Sequence, residues 1–271
     1  MPSARFIPNH IGVIMDGNRR YAHKNEIDVF LGHRRGSSSA AKTLKWAYNF
    51  NIKNLTLYTF SFDNFSRDET EKKYIFNLLN NILDSYSAED NTFLKNKGIR
   101  IRVVGDLSLI PEELSNKILE VEEKTKNNSN MFLNIAFAYG GREDISYAFN
   151  KSEQELIEKE RTKKEPIDIS NYDLIEKMLD KNIFKGITPN VPDIDLIIRT
   201  GGERRMSNFL PWHAFGNEAV FHSTGKLWPQ FSKYDFLFAL QKYKQIKKNQ
   251  NKQLEMREKF IKDYISKNKI K

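Results

Sequence analysis

The sequence predicts a single α/β domain with a central, mostly parallel six-stranded sheet, flanked by helices and followed by a long C-terminal helix. Six short apolar runs alternate with stretches of helical periodicity along the 271 residues, a pattern typical of parallel sheets with helical crossovers. Several of these runs are continuous and rich in β-branched or aromatic residues, as expected for strands covered on both faces. A hydrophobic content of 39% is enough for a folded core and argues against global disorder.

Six segments are the strand candidates. They are residues 10–16 (HIGVIMD), 54–61 (NLTLYTFS), 99–106 (IRIRVVGD), 132–139 (FLNIAFAY), 195–201 (DLIIRTG) and 218–223 (EAVFHS). In open parallel sheets, ligands gather at the carboxyl ends of the strands. The polar residues that follow these segments are therefore the first candidates for a functional site.

The segments between the strands have the features of helices. Residues 69–96 carry one apolar stripe at three-to-four spacing, formed by Tyr74, Ile75, Leu78, Leu79, Ile82 and Leu83. Pro111, followed by two glutamates, is a favourable helix start. The highly charged residues 151–171 contain Pro166 and predict a helix end with a surface connection, not a domain boundary.

Composition excludes several classes of protein. The chain contains no cysteine, so disulfides and thiolate metal sites are excluded, and a cytoplasmic location is expected. The first ten residues lack the apolar core of a signal peptide, and no run approaches the roughly 18 apolar residues of a membrane span. We therefore expect a soluble protein, or one that contacts a membrane only peripherally.

The net charge of +9 is unevenly distributed. Residues 241–271 contain 11 Lys and Arg against 3 Asp and Glu, so they hold eight of the nine net positive charges. A nucleic-acid-binding surface normally places its basic residues on the folded body, which here is nearly neutral. The sequence therefore predicts a body over residues 1–240, a basic helical tail over residues 241–271, and no nucleic-acid partner.

Residues 199–218 (RTGGERRMSNFLPWHAFGNE) form the first candidate anion site. Arg199, Arg205 and Ser207 supply the charged forks and the hydroxyl that a diphosphate needs, around a flexible glycine pair. Glu218 is an oxygen ligand of the kind that Mg²⁺ accepts. Taken alone, the same residues are equally typical of a charged surface loop.

A second candidate anion site follows the first strand. It contains Asp16, Gly17, Asn18, Arg19 and Arg20, at the point where a helix is expected to begin. Helix N-termini and arginines bind anions, and Asp16 could hold a metal ion that bridges to that anion. The alternative interpretation is ordinary turn chemistry, which an Asp-Gly-Asn sequence often provides.

Three further polar clusters accompany these two stretches. They are GHRRG with His33, SFDNFSR with Ser61, Asn64, Phe65 and Arg67, and YGGRED over residues 139–144. Each alone is weak, because a lone histidine or a strand-to-helix turn is more often structural. Together they indicate two anion sites and metal carboxylates, without a P-loop, a dinucleotide-binding glycine motif or a nucleophile elbow. This set favours ionisation or transfer at a diphosphate.

The ordered motifs resemble one known family. The segments HIGVIMDGNRRYA, GHRRG, LTLYTFSFDNFSR, IRIRVVGD, NIAFAYGGREDI, PDIDLIIRTGGERRMSNFLPW and LWPQF are similar, in order and spacing, to those of the cis-prenyltransferases. These are the undecaprenyl and dehydrodolichyl diphosphate synthases, and the resemblance covers about residues 9 to 240. The forms GNRR and AYGGRED are more similar to those of the archaeal and eukaryotic branch.

The resemblance implies an activity and an assembly. A cis-prenyltransferase condenses isopentenyl diphosphate with an allylic prenyl diphosphate, using Mg²⁺, and makes a cis-polyprenyl diphosphate that serves as a glycan-carrier lipid precursor. The fold would be one α/β domain with an apolar tunnel for the growing chain, assembled as a homodimer. Residues 1–240 would then be the catalytic domain.

The resemblance also implies a role for each motif residue. Asp16, Asn18 and Asn64 would be catalytic. Gly17, Arg19, Arg20, His33, Ser61, Phe65 and Arg67 would bind the allylic diphosphate. Arg199, Arg205 and Ser207 would bind isopentenyl diphosphate. Asp16 and Glu218 would hold the metal ion, with Glu218 coming either from the same chain or from the partner subunit.

Some positions depart from the family pattern. Val29 stands where an arginine is usual, which leaves Arg34 or Arg35 to replace it, and Pro211, His213 and Gly216 alter the motif around Trp212. These departures keep open the alternative of an irregular enzyme that joins two allylic diphosphates. A non-catalytic partner subunit is a further alternative, against which the retained motif residues argue; these are Asp16, Asn18, Arg20, Arg199, Arg205 and Ser207.

The basic tail suggests a membrane contact. Tyr243, Ile246, Leu254, Phe260, Ile261, Tyr264 and Ile265 fall partly on one helical side, with lysines around them. A basic amphipathic helix can lie on an anionic membrane, where a long polyprenyl product would leave the enzyme. The alternative is a solvated or packing helix with a frayed end.

Overall fold

Six parallel strands form one sheet at the centre of the protein. A computed structural model describes residues 6–87, 96–163, 171–183, 191–216 and 218–268. The strands are β1 (His10–Ile14), β2 (Asn54–Ser61), β3 (Ile99–Val104), β4 (Met131–Tyr139), β5 (Leu196–Arg199) and β6 (Val220–Ser223). Each lies within a few residues of its predicted segment, and every pairing is parallel, which confirms the predicted fold class.

The strand order is β3-β4-β2-β1-β5-β6. After β1 the chain crosses to one half of the sheet, and β5 later returns to pair with the other edge of β1. The carboxyl ends of β1 and β5 therefore form a topological switch point, where α/β sheets bind their ligands. In register, Ile14 of β1 pairs with both Tyr58 of β2 and Arg199 of β5, so the segments after these three strands emerge side by side.

Helices cover both faces of the sheet. They are α1 (Asn18–Lys24), α2 (Val29–Asn49), α3 (Glu69–Ser87), α4 (Glu112–Thr125), α5 (Gly141–Lys163), α6 (Tyr172–Asn182), α7 (Pro211–Gly216) and α8 (Lys233–Asn268). The helix predicted over residues 69–96 is described as far as residue 87, and residues 88–95 lie outside the described part. α4 begins directly after Pro111, as predicted. Within the charged segment 151–171, α5 continues to residue 163.

The alternation of side chains along each strand separates two hydrophobic cores. Val13 of β1 and Ile198 of β5 point to one face, where they pack with residues such as Phe236 of α8. Ile14 and Ile197, one position along, point to the other face. This two-residue period buries both faces and explains why the strand sequences are continuously apolar.

The C-terminal helix α8 begins on the body and extends beyond it. Phe236, Ala239 and Tyr243 are buried in the core, whereas Leu254 and Phe260 are 55% and 70% exposed. The boundary expected at residue 240 therefore falls inside one continuous helix, and the division into two regions stays a prediction. None of the described helices has the length and apolar character needed to cross a membrane.

Candidate active site

A cavity of about 550 Å³ opens at the carboxyl ends of β1, β2 and β5. It brings together most of the predicted site residues. Those that line it are Asp16, Gly17, Asn18, Arg19, Arg20, His33, Ser61, Asn64, Arg67, Arg199 and Ser207. The two anion-binding stretches, separated by about 180 positions in sequence, thus face one another across a single space, as expected at a switch point.

Asp16 lines this cavity and lies between two arginines. Its Oδ1 accepts a hydrogen bond from Nη2 of Arg20 at 2.9 Å, and its Oδ2 accepts one from Nη2 of Arg199 at 3.1 Å. Arg20 also donates from Nη1 to the carbonyl of Gly201 at 2.8 Å. Gly201 has a φ of +86°, and a Cβ there would lie 2.3 Å from Nη2 of Arg20. A glycine is therefore needed for the β5 loop to approach Arg20 and Asp16 this closely.

Arg199 joins the Asp16 carboxylate to Ser207, within the stretch 199–218. Its side chain is only 5% exposed, and Nη1 donates to Oγ of Ser207 at 2.7 Å and to the carbonyl of Arg205. Because the guanidinium is planar and held at both ends, it presents a fixed positive charge to the cavity. Arg199 thereby orients both Asp16 and Ser207.

Ser61 and Asn64 form the opposite wall, in a short 3₁₀ helix after β2 that spans Phe62–Ser66. Oδ1 of Asn64 accepts from the backbone N–H of Ser61 at 3.1 Å, and the Ser61 side chain accepts in turn from the Asn64 backbone. This reciprocal capping box fixes both polar side chains at the rim of the cavity. Local sequence therefore determines the geometry of this wall.

Glu71 is a buried carboxylate that the sequence reasoning missed. Its Oε1 accepts from Nε2 of His33 at 3.1 Å and from Nη1 of Arg67 at 2.8 Å, and Oε2 lies 3.9 Å from Nε of Arg19. Since a carboxylate can only accept, the bond places the His33 proton on Nε2. The i, i+4 spacing of Arg67 and Glu71 was a usable signal, but it does not reveal the contact with His33.

Burial shifts the pKa values of the two groups held by Glu71. Desolvation lowers the pKa of His33, against the opposing effect of its bond to Glu71. Desolvation also lowers the pKa of Arg67, again opposed by Glu71. His33 is thus a neutral imidazole at neutral pH.

Two predicted site residues point away from the cavity. Phe65 is half-buried and packs edge-on against the core residue Phe60, with ring centroids 5.0 Å apart. The Arg205 side chain is 67% exposed and pairs with Glu203 at 2.6 Å. In this conformation only the backbone carbonyl of Arg205 contributes to the site, through its bond with Arg199.

Glu218 lies at the amino-terminal ends of the strands, whereas Asp16 lies at their carboxyl ends. Glu218 precedes β6, whose first residue Val220 pairs with Leu196 at the start of β5, whereas Asp16 follows the end of β1. Strand residues advance about 3.3 Å each, so the length of the sheet separates the two carboxylates. One chain therefore does not assemble the predicted pair of metal ligands.

Other residues line the cavity without having been predicted as site residues. They are Ile14, Met15, His23, Tyr58, Thr59 and Asp63. Tyr58 and Thr59 belong to β2, where an apolar strand pattern conceals their role. Burial raises the pKa of Tyr58, so its hydroxyl stays protonated and able to donate.

The donor set at Asp16 fits a magnesium ion that arrives with a diphosphate. Within the described residues, no three His, Asp or Glu side chains come together as a protein-only metal site. Mg²⁺ commonly uses one or two carboxylates together with substrate phosphate oxygens and water. Asp16, partly exposed in a cavity rich in arginines, provides such a carboxylate.

The sequence model of the undecaprenyl diphosphate synthase family matches residues 14–251 of this chain. The chain belongs to that family. It is a cis-prenyltransferase, and therefore a transferase, as the sequence motifs indicated.

Relatives from archaea and bacteria are similar over most of their length. A tritrans,polycis-undecaprenyl-diphosphate synthase of Archaeoglobus fulgidus, described as geranylgeranyl-diphosphate specific, is 42% identical over 234 residues, covering 86% of this chain and 88% of the relative. An isoprenyl transferase of Thermotoga maritima is 39% identical over 239 residues, covering 88% and 94% respectively.

Solved structures of the family share the fold. Lavandulyl diphosphate synthase from Lavandula x intermedia, in complex with dimethylallyl diphosphate, has a TM-score of 0.76 and 30% identity, covering 89% of this chain and 96% of that one. A probable undecaprenyl diphosphate synthase from Campylobacter jejuni has a TM-score of 0.64 and 30% identity, covering 87% and 94%.

The residues that depart from the family pattern lie in α2 and α7 of this cis-prenyltransferase. Val29 is the first residue of α2, and neither Arg34 nor Arg35 lines the cavity in its place. Arg35 instead donates to the Tyr21 hydroxyl at 2.6 Å. His213, in α7, is buried away from the cavity, and this burial lowers its pKa to about 4.

Proposed function

We propose that the enzyme condenses isopentenyl diphosphate with an allylic prenyl diphosphate to form a cis-polyprenyl diphosphate. The observation that carries this proposal is the position of Asp16, held between Arg20 and Arg199 where the two anion-binding stretches meet. Two diphosphates bound to these stretches would place their reacting carbons in the same cavity. The arginines would offset the four or more negative charges that the two substrates bring.

The allylic diphosphate is assigned to the side of the cavity formed by Arg19, Arg20, His33 and Arg67. As the C–O bond of the allylic substrate breaks, its electron pair leaves with the diphosphate, and these basic groups stabilise the growing negative charge.

Isopentenyl diphosphate is assigned to Arg199 and Ser207, with Arg205 joining after its exposed side chain leaves Glu203. The double bond of this substrate attacks the allylic cation and forms the new carbon–carbon bond. Loss of a proton then generates the double bond of the product. Ser61 and Asn64, fixed by their capping box, would orient the reacting groups from the opposite wall.

Magnesium is the proposed cofactor, held by Asp16 together with diphosphate oxygens. When bound, it would supply electrostatic stabilisation of the leaving diphosphate. Glu218 could join such a site only from a partner subunit, since in its own chain it lies at the amino-terminal ends of the strands. The proposed assembly is therefore a homodimer in which each subunit contributes to the other's site.

The preferred allylic starter is proposed to be geranylgeranyl diphosphate. The support is the Archaeoglobus fulgidus relative, which is 42% identical and described as geranylgeranyl-diphosphate specific. A second candidate activity, the joining of two allylic diphosphates, is favoured by the structural likeness to lavandulyl diphosphate synthase and by Val29 in place of the usual arginine. An apolar tunnel for the growing chain stays a prediction.

A single assay separates these activities. The purified protein is incubated with Mg²⁺, isopentenyl diphosphate and, in turn, dimethylallyl, geranyl, farnesyl or geranylgeranyl diphosphate, and the products are sized. Cis-polyprenyl products with geranylgeranyl diphosphate as the best starter are expected. Branched products from dimethylallyl diphosphate alone would support the irregular reaction, and inactivity with every combination would support a non-catalytic subunit.

We also propose a peripheral membrane contact through the outer part of α8. The stripe that buries Phe236 and Tyr243 against the body continues as the exposed Ile246, Leu254 and Ile261. Lysines flank this stripe, and residues 241–271 carry most of the net positive charge. An apolar stripe between basic side chains suits the surface of an anionic bilayer, to which a polyprenyl product would pass.

A further inference from the structure

The turn that follows β4 contacts the loop that carries Ser207. This turn, YGGRED, stood out in the sequence, but the proposed reaction gives it no role. The carbonyl of Asn208 accepts from the backbone N–H of Gly141 at 2.8 Å, and its Oδ1 accepts from the backbone N–H of Arg142 at 2.9 Å. Its Nδ2 donates to Oε2 of Glu143 at 2.9 Å. One asparagine side chain is thus held at both ends by the first residues of α5.

The loop held in this way has an unfavourable backbone conformation. Ser207 and Asn208 have φ values of +48° and +60°, a left-handed geometry in two consecutive residues that are not glycine. Such a conformation persists only where surrounding contacts over-determine it. The bonds to Asn208 are contacts of that kind, and they lie directly beside the residue assigned to isopentenyl diphosphate.

Strand β2 also contacts this loop, through Tyr58. The hydroxyl of Tyr58 lies 3.3 Å from the carbonyl of Ser207 and 3.2 Å from that of Tyr139, and its ring stacks on Phe209 at 4.8 Å. A side chain at 140 would displace the Glu143 carboxylate, because a Cβ there would lie 2.0 Å from Oε2 of Glu143. The turn and the loop are therefore built against each other, with Ser207 at the cavity end.

We propose that Glu143 is a positioning residue for isopentenyl diphosphate, acting through Asn208 on Ser207. The inference rests on the assignment of isopentenyl diphosphate to Arg199 and Ser207. Glu143 does not line the catalytic cavity. Its carboxylate holds the Asn208 amide, which keeps the Ser207 hydroxyl 2.7 Å from Arg199 and ready to meet the diphosphate. The allylic side of the cavity, around His33 and Arg67, has its own support in Glu71 and is independent of this contact.

Steady-state kinetics with both substrates tests this role. Glu143→Ala and Asn208→Asp each remove the bond, and the second variant keeps the acceptor for the Arg142 N–H. Each is expected to raise KM for isopentenyl diphosphate about tenfold, with KM for the allylic substrate changed less than about twofold. Glu143→Gln retains an acceptor oxygen and is expected to preserve the wild-type KM. Glu153→Ala, an exposed site on the same helix, is the matched control.

A reciprocal exchange sharpens the test. Combining Glu143→Gln with Asn208→Asp reverses donor and acceptor across the same contact, so the double variant is expected to recover most of the lost affinity. Equal rises in both KM values, failure of Glu143→Gln to preserve KM, or the same effect in Glu153→Ala would overturn the proposal. A wild-type enzyme that makes no product from isopentenyl diphosphate would instead refute the proposed function itself, before any variant is compared.

Discussion

At the scale of single residues, charged side chains in the cavity are oriented by partners from distant parts of the chain. Asp16 is fixed by Arg199, and His33 is fixed by Glu71, which begins the buried stripe of α3. The residue types were readable from the sequence, because diphosphate chemistry needs arginines, hydroxyls and a carboxylate. Their partners were not readable, since a hydrogen bond between residues 38 or 183 positions apart depends on the fold.

Glu71 yields a prediction about stability. Removing this carboxylate in Glu71→Ala leaves two basic groups, His33 and Arg67, without their buried acceptor. We expect the free energy of unfolding, measured by urea denaturation, to fall by about 3 kcal/mol. The matched control is Glu69→Ala, two residues away, whose side chain is 77% exposed and pairs with Lys72. That change is expected to cost less than about 1 kcal/mol, and equal losses in the two variants would contradict the buried role.

At the scale of secondary structure elements, strands and helices followed closely from sequence pattern. The continuous apolar runs became β1 to β6 within a few residues, because a strand buried on both faces has no polar alternation to conceal it. Helix ends that no local sequence signal marks were harder to predict. Pro111 marked the start of α4, whereas the charged residues before Lys163 did not show where α5 ends.

His10, the first residue of β1, leads to a prediction about how the free energy of unfolding depends on pH. Nδ1 and Nε2 of His10 lie 2.7 Å from the carbonyl of Pro192 and from Oγ1 of Thr56, and burial lowers the pKa of His10 to about 3. Below pH 6.5 the unfolded chain therefore binds a proton that the folded protein does not. The free energy of unfolding should be steady above pH 7 and fall as the pH drops from 6.5 towards 4.

The contribution of His10 is measured by comparing the wild type with His10→Gln over this range. The wild-type slope should exceed that of the variant by up to about 1.4 kcal/mol per pH unit, the value for one proton. Acidic groups that also titrate contribute equally to both proteins and cancel in the comparison. Identical slopes would show that His10 is not the group responsible.

At the scale of the whole molecule, the separation of Asp16 and Glu218 leads to a complementation experiment. Asp16→Ala and Glu218→Ala are each expected to retain the fold by circular dichroism. Asp16→Ala should lose at least about a thousandfold in turnover, because the central carboxylate is gone. Glu218→Ala is expected to be inactive as well, because the proposed site needs both carboxylates. In the proposed dimer these two carboxylates come from different subunits.

Co-expression of the two variants tests that arrangement. In a mixed dimer, one site receives both substitutions and the other receives none, so the mixed dimers should have about half of wild-type activity. Activity is measured after isolating dimers that carry both affinity tags. A mixed dimer as inactive as the parent variants would show that Glu218 does not act in trans.

The outer part of α8 leads to a second prediction at this scale. Deleting residues 250–271 removes exposed apolar residues, including Leu254 and Phe260, together with basic side chains, each worth about 1 kcal/mol near an anionic surface. Sedimentation with vesicles rich in anionic lipid at low salt should recover much less of the truncated protein than of the full chain. Neutral vesicles serve as the control, and unchanged binding after the deletion would remove the proposal.

Residue chemistry and periodicity were enough to determine the fold class, the six strands and the residue types of the two anion-binding stretches. These properties are local, since they depend on neighbours a few positions away. Only the tertiary structure decided which residues meet. It placed Arg199 against Asp16, joined Glu71 to His33, packed Phe65 against the core, and separated Glu218 from the site by the length of the strands. Those outcomes depend on strand order and register, which join parts of the chain that no local pattern connects.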